Sequence, residues 1–443
     1  MHNVARALAF CLISISSFAQ SAPPIVGIGD SLGEGVQSAN SFTQSQVNAY
    51  LNRIAMQMNV PFQQPLLSTS PYAFIESDKG RVRLSPDTTS VDLAVSGATT
   101  GDVLNAVANT GTPSTEADLV LPPYYGMSQI QIVEQVKPAV VFAWVGNDDL
   151  ISMVLNFWEL NNPHPTPLPV FTSEYQELVS RLKATGAKVV MSNVPDLTKI
   201  GYLFDNNDLL KYTGSDYNLP SGYLTTLPTM LLLKLGVFNA SILQNPAYVL
   251  TPAQLTSIEQ QIQTYNQVIT HTASAAGFPV VDAYSILNNL ILHPITIEGI
   301  TITTHYNGGA FSLDGVHPSD TGHAIFANTF IAAANKSYGL NIPRITASQL
   351  VGIFNADPFI DFSGAGVVPG RPNTGLLESL GPLLGLPGGP RRGAEFRVNP
   401  AAPVDASVFM REYYRLKEQN PNRPWTSQDV VAAVADLFGL KMR

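Results

Sequence analysis

Short apolar runs alternate with longer stretches of helical periodicity through most of the chain. Residues 25–28, 91–95, 139–145, 187–192 and 279–281 form runs of the length and apolarity expected for strands buried between other layers. Residues 173–184, 252–276 and 319–335, lying between or after them, carry apolar side chains at helical spacing. Strands alternating with helices predict a mainly parallel five-stranded sheet with helices on both faces, a three-layer α/β/α sandwich.

Two segments break this rhythm. Residues 201–250 mix Leu, Tyr and Phe with Pro and Asn. A long irregular insertion of this kind is expected to be either a lid or a packed surface subdomain. Beyond residue 341 the character changes, and residues 364–403 are dense in Gly, Pro and Arg, as in a linker. Two short helices are expected after it, over residues 405–418 and 427–437. The organisation expected is thus a leader over 1–19, a domain over 20–341 and a tail over 342–443.

The leader expectation rests on Arg6, the apolar run of residues 7–15, and the small residues Ser17 and Ala19 at the spacing of a signal-peptidase site. The run is too short to span a bilayer comfortably, which takes ~20 apolar residues. Cleavage after Ala19 and a secreted or periplasmic mature protein are therefore expected, with no integral membrane span.

Composition narrows the chemistry. Cys11 is the only cysteine and lies in the leader, so the mature chain has no disulfide, thiolate metal site or cysteine nucleophile. The formal charge of −9, or −10 once Arg6 is removed, disfavours nucleic acid as a partner. No His-x-x-x-His or His-Glu-x-x-His spacing occurs, so neither a catalytic zinc nor any other cofactor is expected.

Four short blocks carry candidate chemistry. Gly29-Asp30-Ser31-Leu32-Gly33-Glu34-Gly35 follows the first strand and places Ser31 at a strand-to-helix turn, where a hydroxyl is exposed for attack or for helix capping. Ser96-Gly97-Ala98 follows the second, and the Gly97 N–H is an accessible donor because no side chain covers it. In Val145-Gly146-Asn147-Asp148-Asp149, at the end of the third strand, Asn147 offers a side-chain amide to a developing oxyanion. Asp314 and His317 stand three residues apart on a loop, so the carboxylate can accept from Nδ1 and leave Nε2 to take a serine proton.

In this order, over residues 25–335, the blocks resemble those of the SGNH/GDSL hydrolases. The resemblance implies a flavodoxin-like sandwich, Ser31 as nucleophile, His317 as general base and then acid, and Asp314 as its orienter. It implies an oxyanion hole of the Ser31 and Gly97 N–H groups with the Asn147 side chain. One departure is that the family usually has Gly-x-Asn-Asp, whereas Val145 stands at the first position here; a shifted alignment would put Asp148 in the donor position, but an ionised Asp cannot donate. The expected substrate is a small-molecule or lipid ester. A carbohydrate O-deacetylase and a noncatalytic secreted binding module are the alternatives.

Overall fold

The computed structural model describes residues 23–37, 41–67, 83–111, 115–155, 160–234, 238–312 and 314–357. The leader and the tail beyond residue 357, with its two expected helices, lie outside the described residues. Strands β1 (Ile25–Gly29), β2 (Val140–Trp144) and β3 (Lys188–Ser192) pair in parallel over five residues each, and β3 also pairs in parallel with a short fourth strand, Val280–Val281. The expected five-stranded sheet therefore contains four regular strands. Residues 91–95 run along the free edge of β1 as an extended ribbon, with Gly27 N donating to Val91 O, Leu93 N to Gly27 O and Val95 N to Gly29 O, 2.9–3.0 Å. Only the Gly27–Asp92 bridge is regular there, and the buried carboxylate of Asp92 breaks the apolar run.

Taken with that ribbon, the spatial order of the five segments is second, first, third, fourth, fifth along the chain. This is the flavodoxin-like order, in which ligands bind beyond the carboxyl ends of the strands where the order reverses. The reversal falls between β1 and β2, the strands that deliver Ser31 and Asn147.

Side chains alternate across the sheet with period two, and two apolar layers result. Val26, Ile28, Val141, Ala143, Val189 and Met191 pack with residues of the helices Gln129–Val136, Leu168–Ala184 and Pro252–Ala276. On the opposite face Ile25, Val140, Phe142, Trp144 and Val190 meet the helices Tyr50–Met58 and Asp320–Tyr338. Their junction is an aromatic cluster in which Phe330 stacks on Tyr50 at 4.9 Å and meets Trp144 at 5.7 Å. All three rings are almost completely buried, and truncating one costs about 3–5 kcal/mol.

Helix ends follow their sequence signals. Thr251 caps Pro252–Ala276 with a reciprocal Gln254 bond, Gly277 closes it, and Ser319 accepts the Gly322 N–H at the start of Asp320–Tyr338. The insertion folds as a subdomain with its own antiparallel sheet, Leu203–Phe204, Leu224–Thr226 and Val249–Leu250, and the helices Asn206–Thr213 and Leu227–Lys234. Its apolar residues Met230, Leu231, Leu232 and Leu233 are buried in the main core. Residues 342–357, grouped with the tail by composition, belong to the domain: Ile342, Ile345 and Phe354 are buried, and Asp357 accepts the Thr321 N–H at 2.8 Å.

Candidate active site

Asp30 follows β1 directly and caps the short helix Ser31–Glu34 by accepting the Leu32 N–H at 3.0 Å. Ser31 is thus the first helical residue, where a helix leaves its N–H groups without internal acceptors. Gln129 grips the strand just before it: its Oε1 accepts the Gly29 N–H and its Nε2 donates to Gly29 O, both at 2.9 Å. The serine is held by a strand end, a cap and a side-chain clamp.

His317 reaches it from the far end of the domain. The two residues are 286 apart in sequence, yet Nε2 lies 2.8 Å from Ser31 Oγ. The ring's Nδ1 lies 2.6 Å from Oδ2 of Asp314, and Asp314 Oδ1 accepts the N–H groups of Val316 and His317 at 2.8 and 2.9 Å. Asp314 is fully buried. Burial alone would raise its pKa, but the His317 charge and these hydrogen bonds outweigh burial and hold the carboxyl below its ordinary value. An ionised carboxylate only accepts, so Nδ1 carries the ring proton and Nε2 is left to accept from Ser31.

The loop bearing Asp314 and His317 turns at Gly315, whose φ is +70°. A Cβ there would stand 2.5 Å from Tyr202 N and 2.6 Å from Gly201 C, so the loop lies directly on the backbone that opens the insertion.

Asn147 is brought to the other side of the serine turn. Its Nδ2 donates to Asp30 Oδ2 at 2.7 Å, which leaves the second amide proton for another acceptor. Burial, partly offset by the bonds from Asn147 and Leu32, pushes the Asp30 carboxyl up to about 6. Asp148 is also held well above the carboxylate range, first by burial and then by Asp30 and Asp149. Of the two candidates for the donor position, Asn147 is the one whose amide is bonded into the Asp30–Ser31 turn.

Gly97 sits at the third position of the turn Val95–Ala98, closed by Ala98 N donating to Val95 O at 3.1 Å. Its φ of +79° is the left-handed conformation that position of a type II turn demands. The closing bond uses Ala98, so the turn does not consume the Gly97 N–H. A Cβ at Gly97 would meet nothing within 4 Å, and the loop therefore opens onto free space. All five expected site residues are carried to the carboxyl end of the sheet.

Several polar residues around them stand outside the expected set. Besides Asp30 and Gln129, they are Glu34, whose Oε2 accepts the Ser96 N–H at 2.6 Å, and Asp149, whose Oδ2 accepts the N–H and Oγ1–H of Thr100 at 2.9 and 2.8 Å. For Asp30, Glu34 and Asp149 the available signal was charge, since acidic groups inside tight Gly-rich blocks are costly to bury unless they hold something; Gln129, neutral and outside those blocks, carried none. Among the described residues no group of three or more His, Cys, Asp or Glu is placed to hold a metal ion, and no helix is long and apolar enough to cross a membrane.

Residues 25–330 match the family model described as GDSL-like Lipase/Acylhydrolase. No curated protein matches the chain. Among solved structures it is similar to LAE5, an alpha/beta hydrolase enzyme from the metagenome of Lake Arreo, Spain, at 15% identity and a TM-score of 0.36 over 71% of this chain and 96% of that one. It is also similar to the acetylxylan esterase Axe2 from Geobacillus stearothermophilus, at 16% identity and a TM-score of 0.35 over 71% and 94%. A third is the acetyl xylan esterase AlAXEase, at 12% and 0.32 over 70% and 98%.

Proposed function

Since the chain belongs to the GDSL-like lipase/acylhydrolase family, we propose that it is a secreted serine esterase that hydrolyses lipid or other acyl esters through Ser31, His317 and Asp314. Secretion is inferred from the leader-like residues 1–19. The observation that carries the catalytic reading is the unbroken relay from Asp314 Oδ2 to His317 Nδ1, 2.6 Å, and from His317 Nε2 to Ser31 Oγ, 2.8 Å.

In the reaction Ser31 Oγ attacks the ester carbonyl while His317 Nε2 takes its proton, and buried Asp314 stabilises the imidazolium. Negative charge gathers on the carbonyl oxygen, where the Ser31 and Gly97 N–H groups and the second Asn147 amide proton receive it. His317 then protonates the departing alcohol. Water then attacks the acyl carbonyl while giving a proton to the same nitrogen, and His317 returns that proton to Ser31 Oγ as the bond between Oγ and the acyl carbon breaks and the acid leaves.

The burial of Met230–Leu233 favours a second reading of the substrate, because the insertion's most apolar stretch is used in packing rather than offered to an acyl chain. A short acyl group, such as the O-acetyl of a carbohydrate, fits that finding. Hydrolysis of nitrophenyl esters of increasing acyl length and of an acetylated sugar, with Ser31→Ala as control, separates the two. Fluorophosphonate should label the parent and not Ser31→Ala; labelling or hydrolysis that survives the substitution overturns Ser31 as nucleophile.

A further inference from the structure

We propose that Glu34 is a positioning residue for the oxyanion loop, aiming the Gly97 N–H by holding the peptide before it; this rests on the esterase reading above. Glu34 is fully buried, at the end of the helix that Ser31 begins. Both its oxygens accept: Oε1 from Ser41 Oγ, and Oε2 from Ser96 N, the latter at 2.6 Å. A bond of that length to a carboxylate is charge-assisted and among the stronger kinds available to a backbone N–H.

The position of the bond gives it a purpose beyond packing. Ser96 and Gly97 are the two central residues of the turn Val95–Ala98. Val95 is tied to β1 through Gly29 O at 3.0 Å, and Thr100, just past the turn, is tied to Asp149 by two bonds. Glu34 supplies the tie in between. Gly97, with φ +79° and open space where a side chain would stand, has no side chain to anchor it, so the plane of its N–H depends on the backbone bonds of its turn, of which the Ser96–Glu34 bond is the one immediately before it. The same carboxylate belongs to the serine helix, so nucleophile and oxyanion donor are set by one rigid unit although 62 residues separate Glu34 from Ser96.

Three substitutions test this, with activity counted per fluorophosphonate-titrated site so that a failure of Ser31 to label is read separately. Glu34→Leu fills the buried volume but offers no acceptor, and Glu34→Ala removes both. Displacing a donor costs less than deleting one, so a roughly 10–10²-fold loss of kcat with KM little changed is expected from either variant, against ~10²–10³ for outright deletion. Glu34→Gln keeps an oxygen for Ser96, while its amide can donate to a rotated Ser41 hydroxyl, and is expected to restore kcat to within a few fold of the parent. Folded Glu34→Leu or Glu34→Ala protein with parental kcat overturns the proposal. So does a loss expressed mainly in KM, or unfolding of both variants with parental kcat in the folded fraction that still labels, since any of these makes Glu34 structural only.

Discussion

Asp314→Asn isolates the proton logic of the site with almost no change of shape. The Asn oxygen can still accept the N–H groups of Val316 and His317, which lie 2.8 and 2.9 Å from Asp314 Oδ1. The amide nitrogen then stands 2.6 Å from His317 Nδ1. It can only donate, so the ring must accept at Nδ1 and move its proton to Nε2, which faces Ser31 Oγ at 2.8 Å and can no longer take a proton. Recovering the productive tautomer puts two donors face to face in a fully buried place, about 1–3 kcal/mol, or roughly 10–10² in population. The imidazolium of the transition state also loses its counter-charge. Together these should lower kcat by ~10⁴, about 5 kcal/mol. The assay is nitrophenyl acetate turnover, with circular dichroism to verify the fold. Because the Asp314 pKa is depressed in the folded protein, its stabilising contribution is present above the ordinary carboxylate range and is lost as pH falls. The variant should therefore be less stable than the parent at pH 7 and approach it in acid. A folded Asp314→Asn enzyme within tenfold of parental kcat would refute the assignment of the His317 tautomer to Asp314.

Three further outcomes are expected. Asn147→Ala should lower kcat by ~10²–10³ without unfolding the chain; full activity in a folded variant removes Asn147 from the oxyanion site. Gly97→Ala meets no steric obstacle but must hold φ near +79°, so it should cost ~1–2 kcal/mol of stability, visible as a lower Tm, and Gly97→Asn should cost less; equal Tm values for parent and Gly97→Ala contradict the left-handed turn. Burial, against bonds from Ala94 and Gln64, raises the Asp92 carboxyl to about 8. Between its unfolded pKa near ~4 and about 8 the folded chain keeps a proton that the unfolded chain has lost, so stability falls as pH rises through that window. The Tm of Asp92→Asn should fall less than the parent's between pH 5 and 8, and parallel curves would show that Asp92 does not titrate this way.

The strands and the four chemical blocks were legible because each is local: an apolar run, a glycine beside a polar residue, an Asp three places before a His. What joins the blocks was not. Glu34 to Ser96, Asp30 to Asn147 and Asp149 to Thr100 link positions 62, 117 and 49 residues apart, and no periodicity encodes such pairs. Residues 91–95 read as a regular strand because Val, Leu and Val alternate there, whereas buried Asp92 accepts the Ala94 N–H within its own segment. Pro and Asn made residues 201–250 look irregular; those residues mark the ends of short elements whose Leu and Tyr side chains enter the common core.

The 286-residue separation of Ser31 from His317 also sets when, during synthesis, the proposed triad can first assemble. Synthesis runs from the N-terminus at ~5–20 residues per second, so the serine, Gly97 and Asn147 emerge long before the histidine. A nascent or prematurely ended chain that stops short of Asp314 holds the proposed nucleophile and oxyanion donors but lacks the proposed base. On the proposed mechanism, ester cleavage becomes possible only once Asp314 and His317 have been made and their loop has packed against the serine turn, so a fragment that ends before them is expected to be inert.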